Sequence, residues 1–180
     1  MSENMSDNID LIEALKECGA VKFGDFTLAS GKKSKYYIDI KKASTDPGTL
    51  SIIAKQAGKK IKDIDAEIVG GVALGGVPIA TAVSLETQLP LVLIRKSVKD
   101  YGTGGRFVGD MQTGANIVLM EDVTTSGGSV IEAISAIREA GGVVDTVITV
   151  VEREEGAQDN LKAIGVDLIP LVKASELVQA

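Results

Sequence analysis

Apolar and polar positions divide the chain into alternating strand and helix segments. Short apolar runs predict buried parallel strands at residues 66–70, 91–94, 117–120, 147–151 and 166–171. Apolar residues at helical spacing predict helices at residues 9–18, 49–62, 130–140 and 158–164, and a further helix follows a glycine-rich loop that begins at residue 70. This alternation predicts the α/β class, with a mostly parallel central sheet flanked by helices.

The N-terminal segment departs from this alternation. Residues 1–8 are polar and are predicted to fray, whereas residues 21–40 alternate in polarity around a turn at Ser30–Ser34, which predicts a hairpin. Asp46-Pro47-Gly48 marks a turn, and residues 174–178 are predicted to form a terminal turn.

The hairpin segment holds four of the six aromatic residues of the chain, Phe23, Phe26, Tyr36 and Tyr37. Aromatic rings with lysines near a turn can line a site for a flat anionic ligand. The alternative is a small hydrophobic cluster with a solvated lysine rim. The hairpin alone leaves both interpretations open.

A candidate site follows the strand at residues 117–120. Glu121 and Asp122 come directly after it, and a loop of small residues then leads into a helix near Val130; the loop residues are Thr124, Thr125, Ser126, Gly127, Gly128 and Ser129. Backbone N–H groups and hydroxyls at a helix N-terminus bind anions, and carboxylates accept hydrogen bonds from vicinal hydroxyls. The pattern predicts a sugar-phosphate site. The alternative is an ordinary turn with acids near a helix start.

Two further segments carry candidate chemistry. The glycine-rich loop at residues 70–76 predicts a second anion site at the same sheet edge, although glycines also serve close helix–strand packing. Residues 95–110 contain Arg95, Lys96, Lys99 and Arg106 among glycines, which suits a flexible lid over a polyanion; a solvated charge run is the alternative.

Composition narrows the class of protein. The chain has 180 residues and 44% hydrophobic content, which favours one domain, and its net charge of −6 argues against general nucleic-acid binding. No apolar run reaches about 18 residues and no signal-peptide pattern opens the chain, so we expect a cytoplasmic protein without a membrane segment.

The absence of histidine excludes Ser-His-Asp and Cys-His catalysis and argues against a zinc site. The single cysteine, Cys18, cannot form an internal disulfide and is interpreted as a small apolar residue. Neither a Walker lysine motif nor a Gly-x-Gly-x-x-Gly follows a strand, which argues against P-loop ATPases and dinucleotide folds.

Residues 121–129 resemble the phosphoribosyl diphosphate (PRPP) motif of type I phosphoribosyltransferases. Residues 22–28 and 30–34, with Tyr36-Tyr37, resemble the N-terminal hood of orotate phosphoribosyltransferases, and residues 95–105 resemble their mobile catalytic loop. The resemblance runs from about Lys22 to Arg153. It implies a single type I phosphoribosyltransferase domain at residues 1–180, with a hood at about 1–45 and a core at about 46–180.

The resemblance also implies roles for individual residues. The implied catalytic residues are Lys99, Lys96 and Asp122. The implied PRPP-binding residues are Arg95, Lys96, Lys99, Glu121, Asp122, Thr124, Thr125, Ser126, Gly127, Gly128, Ser129, Leu74, Gly75 and Gly76. The implied orotate-binding residues are Lys22, Tyr36, Tyr37, Thr125 and Arg153.

The implied reaction transfers the 5-phosphoribosyl group from PRPP to orotate, giving orotidine 5′-monophosphate and pyrophosphate in pyrimidine (UMP) biosynthesis. The resemblance further implies Mg²⁺ held through PRPP and waters without a direct protein ligand, and a homodimer with shared active sites. A purine phosphoribosyltransferase would share the PRPP loop but not this hood. A PRPP-sensing or nucleotide-sensing regulator would show an added DNA-binding domain or a basic nucleic-acid face, and a degraded basic lid.

Two positions depart from the resembled pattern. Some members carry a lysine where this chain has Gly75, so backbone N–H groups are expected to contact pyrophosphate there. A histidine commonly lies where this chain has Tyr101, which makes Lys99 the first candidate to assist pyrophosphate departure.

Overall fold

A computed structural model describes residues 2–27, 31, 33–99 and 105–179, with the backbone alone for residues 2–9 and 97–99. The helices of these residues are α1 (Ser2–Glu17), α2 (Ile40–Ala43), α3 (Pro47–Ile61), α4 (Gly76–Thr87), α5 (Gly128–Glu139), α6 (Ala157–Lys162) and α7 (Ala174–Gln179). The strands are β1 (Val21–Thr27), β2 (Lys33–Ile38), β3 (Ile68–Val72), β4 (Leu91–Lys99), β5 (Gly105–Val108), β6 (Asn116–Thr124), β7 (Val143–Glu152) and β8 (Asp167–Lys173).

The central sheet has the strand order β5-β4-β3-β6-β7-β8. Five of these strands run parallel, and β5 pairs antiparallel with β4 at one edge. The mostly parallel sheet predicted from the sequence is confirmed. From β3 the chain moves first to β4 on one side and later to β6 on the other, so the order reverses between β3 and β6. Ligands of open α/β sheets bind in the crevice at such a reversal.

The apolar run of β6 separates two cores, because successive strand residues face opposite sides of the sheet. Val118 and Met120 belong to one core, which they share with α1, α3 and α4. Ile117 and Leu119 belong to the other, which is covered by α5 and α6. All four side chains are at most 1% exposed. The continuous apolar run therefore reflects burial on both faces, as in other parallel sheets.

The predicted hairpin is confirmed as a separate two-stranded sheet. β1 and β2 pair antiparallel with Val21 opposite Ile38 and Phe23 opposite Tyr36. The base of the hairpin enters the core, where Val21 and Ile38 are buried, whereas Phe23 is 60% exposed. The hairpin is thus anchored at its base and projects from the sheet.

Several helices are longer than the sequence predicted. α1 begins at Ser2 rather than at Ile9, and residues 174–179 form a helix rather than a terminal turn. Asp46 is the N-cap of α3 instead of part of a free turn, since its Oδ1 accepts hydrogen bonds from the Thr49 N–H at 2.8 Å and the Thr49 hydroxyl at 2.7 Å.

The segment at residues 95–110, predicted to be a flexible loop, is partly a β-ribbon. β4 continues to Lys99, and Phe107 pairs with Ile94 on the returning strand β5. Phe107 packs against the core under α5, which gives the ribbon an apolar anchor that glycines and charges obscured in the sequence. The rest of the predicted lid, including Tyr101, lies outside the described residues.

None of the described helices is long and apolar enough to cross a membrane.

The approach of α4 to β3 depends on Gly71. A Cβ at this position would lie 2.8 Å from Ala80 Cβ and 3.1 Å from the Gly76 carbonyl oxygen. We expect Gly71→Ala to lower the free energy of unfolding by about 1–3 kcal/mol, because the added methyl overpacks this contact. Urea denaturation measures the change.

Gly48→Ala is the matched control. Gly48 is exposed in the first turn of α3, and a Cβ there would come no closer than 3.4 Å to Asp46 Oδ1. Alanine favours a helix over glycine, so this variant should be at least as stable as the wild type. Equal stability changes in the two variants would contradict the packing argument.

Candidate functional site

Two buried carboxyl groups lie at the carboxyl end of β6. Glu121 and Asp122 are each 7% exposed, and both belong to the strand, which continues to Thr124. The Asp122 N–H donates to Glu121 Oε1 at 3.1 Å, and the Val123 N–H donates to Asp122 Oδ1 at 2.9 Å. The other Asp122 oxygen, Oδ2, accepts from Lys41 Nζ at 2.8 Å. The backbone and one lysine therefore orient the acid pair.

The two acids differ in protonation. Burial, followed by the interaction with Asp122, raises the pKa of Glu121 to about 8. Burial also acts to raise the pKa of Asp122, but its interactions with Glu121 and Lys41 outweigh burial and lower that pKa. At neutral pH the pair therefore carries one proton, on Glu121, and one negative charge, on Asp122. Such a pair can both donate and accept hydrogen bonds.

The loop after β6 encloses a polar cavity of about 180 Å³. The cavity is lined by Glu121 and by residues 123–130. α5 begins here at Gly128 without a side-chain cap, and its N-cap Gly127 has a φ of 80°, which favours glycine. The Thr124 hydroxyl oxygen is buried and has no hydrogen-bond partner among the described residues, and buried polar atoms in proteins rarely lack one. An uncapped helix N-terminus and an unpaired hydroxyl suit an anion with several acceptor oxygens.

The loop is held from its outer side by β7 and α6. The carbonyl oxygens of Thr124 and Thr125 accept from the N–H groups of Arg153 at 2.9 Å and Ala157 at 3.0 Å. The Ser126 carbonyl accepts from Asn160 Nδ2 at 2.9 Å. Three successive carbonyl groups are thus bound by the next β–α unit, which fixes the loop backbone.

The second glycine-rich loop passes over the same acids. A Cβ on Gly75 would lie 2.0 Å from Asp122 Oδ2, and one on Gly76 would lie 2.4 Å from the Met120 carbonyl oxygen. α4 begins at Gly76, also without a side-chain cap, and Leu74 beside it is 71% exposed. The predicted neighbourhood of the two loops is confirmed, because β3 and β6 are paired with Gly71 opposite Met120.

Arg153 and Tyr36 meet beside the loop at residues 124–129, which we name the phosphate loop after the ligand predicted for it. Arg153 Cζ lies 5.7 Å from the centroid of the Tyr36 ring, within cation–π range. Glu155 Oε1 is 3.0 Å from Arg153 Nε but off the N–H direction, so the ion pair lacks a hydrogen bond at that nitrogen. The hairpin thereby contributes an aromatic ring to the arginine that follows β7.

The other two hairpin residues implied at this site lie elsewhere. Lys22 is opposite Tyr37, and cross-strand partners share a face, so both lie on the face opposite to Tyr36. The Tyr37 ring packs 5.7 Å from the Phe26 ring, between centroids, and is 41% exposed. Thr125, in contrast, is in the phosphate loop and follows Thr124, whose carbonyl oxygen accepts from the Arg153 N–H.

The basic ribbon leaves the sheet next to the second loop, since β4 pairs with β3 up to Val72 opposite Ile94. Arg95 donates to the Gly105 carbonyl oxygen at 3.2 Å, and Arg106 Nε donates to the Arg95 carbonyl oxygen at 3.2 Å. Lys96 is exposed. The backbone of Lys99 pairs with Gly105, and its side chain lies outside the described atoms.

Two residues in this region were missed by sequence reasoning. Lys41 contacts an acid that is 81 positions away in the chain, and Asn160 contacts a loop that is 34 positions away. No local pattern marks either residue, because each contact depends on how distant segments pack.

Within the described parts of the chain, no three acidic or cysteine side chains gather in a way that could hold a metal ion. The groups at the site that could interact with a metal ion are the two carboxyl groups of the acid pair.

Known proteins are similar to this chain in sequence and in fold. The family model of the phosphoribosyl transferase domain matches residues 41–174. An orotate phosphoribosyltransferase of Methanosarcina mazei is 66% identical over 170 residues, which cover 94% of this chain and 91% of that protein.

Two solved structures have the same fold. The orotate phosphoribosyltransferase of Aeropyrum pernix matches with a TM-score of 0.85 and 33% identity, over 94% of this chain and 96% of that one. The orotate phosphoribosyltransferase of Mycobacterium tuberculosis H37Rv in complex with PRPP matches with a TM-score of 0.81 and 28% identity, over 96% and 99%. The type I phosphoribosyltransferase fold predicted from the sequence is confirmed. With a matching domain model and a relative that is 66% identical over nearly its whole length, the chain belongs to the orotate phosphoribosyltransferase family.

Proposed function

We propose that the protein transfers the 5-phosphoribosyl group of PRPP to orotate, giving orotidine 5′-monophosphate and pyrophosphate, as a step of pyrimidine (UMP) biosynthesis. One observation carries this proposal. A buried acid pair lies at the sheet edge where two neighbouring strands lead into uncapped helix N-termini, and an arginine with an aromatic neighbour binds the loop that follows the acid pair. Hydroxyls, two phosphate groups and an anionic base are the chemical groups that such a site can hold.

The ribose end of PRPP binds at the acid pair. Asp122 accepts a hydrogen bond from one ribose hydroxyl, while the protonated Glu121 also has a hydrogen to donate. The 5′-phosphate occupies the cavity at residues 124–129, where backbone N–H groups, the hydroxyls and the α5 dipole favour an anion. The unpaired Thr124 hydroxyl would gain a partner there.

The pyrophosphate group lies toward the second loop and the basic ribbon. Leu74, Gly75 and Gly76 offer backbone N–H groups at the start of α4, and Arg95, Lys96 and Lys99 supply positive charge. Lys99 and Lys96 are the proposed catalytic lysines, because negative charge grows on pyrophosphate as it leaves. Asp122 is the third proposed catalytic residue, since it fixes the ribose whose anomeric carbon reacts.

Orotate binds between the phosphate loop and the hairpin. The planar Arg153 guanidinium can form two parallel hydrogen bonds with the orotate carboxylate. Thr125 and Tyr36 lie beside it, and the aromatic ring can pack against the base. Lys22 and Tyr37 would reach the base only after a movement of the hairpin, because they lie on its other face.

The reaction needs no protein nucleophile, since orotate is already an anion. The site contributes by orienting the two substrates, by placing cations where leaving-group charge grows and by excluding water. Mg²⁺ is the proposed cofactor. The ionised Asp122 carboxylate would hold the ion through water molecules, and the bound ion would neutralise the negative charge on the leaving pyrophosphate.

We also propose a cytoplasmic homodimer in which the lid of one subunit completes the site of the other. Leu74 at the site and Leu85 on α4 are 71% and 70% exposed, and large exposed apolar side chains favour a protein contact. Sedimentation and activity measured over a dilution series test this. A monomer that keeps full specific activity would contradict shared sites.

The decisive assay mixes the protein with PRPP, Mg²⁺ and one base at a time. We expect orotate absorbance to fall and pyrophosphate to form, while adenine, guanine and hypoxanthine remain unchanged. Conversion of a purine instead of orotate would favour a purine phosphoribosyltransferase. Tight PRPP binding without turnover of any base would favour a regulator.

The base site predicts unequal effects of Arg153→Ala. Losing the bidentate contact should raise the KM for orotate by at least about tenfold, equivalent to about 1.4 kcal/mol, with a much smaller change in the KM for PRPP. Steady-state kinetics in both substrates measure this. Arg138→Ala, at an exposed position on α5, is the control for losing one arginine. Equal losses for the two substrates would count against the assignment.

Protonation of Glu121 predicts a pH-dependent stability. The pKa of this carboxyl is about 8 in the folded protein and 4.5 in the unfolded chain. Between these two pH values the folded state therefore binds more protons than the unfolded state. Stability from this group is complete below about pH 4.5 and is lost as pH rises toward 8. Glu121→Gln should remove this loss. The melting temperature of the variant minus that of the wild type should therefore increase as the pH rises from 5 to 8.

Glu139→Gln, an exposed change of the same kind on α5, is the control. A melting-temperature difference between Glu121→Gln and the wild type that stays constant across this pH range would show that Glu121 is ionised in the folded protein.

A further inference from the structure

Lys41 lies on α2, the short helix that joins the hairpin to the core. Its neighbours in the helix, Ile40 and Ala43, are fully buried in the core. Their burial fixes how α2 is turned about its axis, and hence where residue 41 points. The Lys41 ammonium reaches Asp122 Oδ2 at 2.8 Å, while Lys42 next to it is exposed and forms no ion pair with any described residue.

The Lys41 contact falls on the side of Asp122 that faces Gly75. A Cβ at Gly75 would lie 2.0 Å from the same oxygen, Oδ2, so a side chain at position 75 would compete for this space. The other oxygen, Oδ1, is bound by the Val123 N–H at 2.9 Å. One backbone N–H and one ammonium group thus each bind an oxygen of the Asp122 carboxylate.

Stability alone does not account for this ion pair. The Lys41 side chain is 61% exposed, and pairs that reach water on one side contribute little to folding, about 0–1 kcal/mol. The Asp122 side chain, in contrast, is only 10% exposed and lies beside a second carboxyl group. A buried carboxylate next to another acid takes up a proton unless a cation compensates it. The main consequence of Lys41 therefore concerns the state of Asp122.

We propose that Lys41 is a positioning residue for the ribose site, which keeps the Asp122 carboxylate charged and oriented to accept a ribose hydroxyl of PRPP. This inference rests on the proposed function. It also connects the hairpin to the ribose site, because α2 follows β2 directly. The groups that face the ammonium are Asp122 and Glu121 from β6 and Asp39 from the start of α2, whereas the β3–α4 loop presents the uncharged Gly75. The direction of both pKa changes agrees, since the contact raises the pKa of Lys41 and, together with the larger effect of Glu121, lowers the pKa of Asp122.

Three variants test the inference: Lys41→Met, Lys41→Arg and, as the matched control on the same helix, Lys42→Met. We expect Lys41→Met to raise the KM for PRPP by about tenfold or more, with less than about a twofold change in the KM for orotate. Its kcat/KM for PRPP should also need a higher pH to reach its plateau, because Asp122 must lose its proton without the ammonium. Lys41→Arg should restore most of the affinity, and Lys42→Met should resemble the wild type.

A second measurement needs neither substrate nor turnover. The side-chain carboxyl ¹³C signal of Asp122, identified by its loss in Asp122→Asn, can be titrated in the free protein. We expect its midpoint to move to higher pH in Lys41→Met and to stay in place in Lys42→Met.

The possible results distinguish a failure of the role of Lys41 from a failure of the proposed function. An unchanged KM for PRPP in Lys41→Met, a matching loss in Lys42→Met, equal losses for both substrates or an unmoved Asp122 titration would each overturn the role of Lys41. A wild-type protein that does not convert orotate would overturn the proposed function instead. In that case the Asp122 titration would still decide whether Lys41 controls this carboxylate.

Discussion

The site depends on how closely the β3–α4 loop passes the end of β6. Gly75 and Gly76 lie so near Asp122 and the Met120 carbonyl oxygen that a methyl group at either position would overlap them. This approach brings the uncapped start of α4 beside the acid pair. The strand β3, which leads to α4, is paired with β6, which carries the acids and leads to α5. Two helix N-termini and two carboxyl groups consequently share one crevice, which is what a ligand with hydroxyls between two phosphate groups requires.

Charge in this crevice is balanced locally, although the chain as a whole carries −6. Burial leaves one proton on Glu121 and one negative charge on Asp122, and Lys41 compensates that charge from the side exposed to water. Arg95, Lys96 and Arg106, in the ribbon formed by β4 and β5, lie on the neighbouring edge, where pyrophosphate is proposed to bind. A site that admits a polyanion thus keeps a single anionic group where hydroxyls are to be bound and places cations around it.

Much of the fold and part of the site could be predicted from local pattern. The parallel strands could be predicted from apolar runs because they are buried on both faces. The acids and the loop at residues 121–129 could be recognised from the order of their residues alone. The β-ribbon could not, since the short apolar pair Phe107–Val108 lies among glycines and charged residues and its partners, Ile94 and Leu93, are in another strand. The hairpin was found, but which of Tyr36 and Tyr37 meets Arg153 followed only from the pairing of β1 with β2.

By itself, the amino-acid sequence determined the α/β class, the two glycine-rich loops and the family resemblance, because these depend on periodicity and on contiguous residues. The tertiary structure alone decided that Gly75 lies against Asp122, that Lys41 compensates this carboxylate and that Asn160 binds the phosphate loop. Each of these contacts joins segments far apart in the chain. Their distances and the protonation of the acid pair depend on burial, which exists only once the sheet, the helices and the hairpin have packed together.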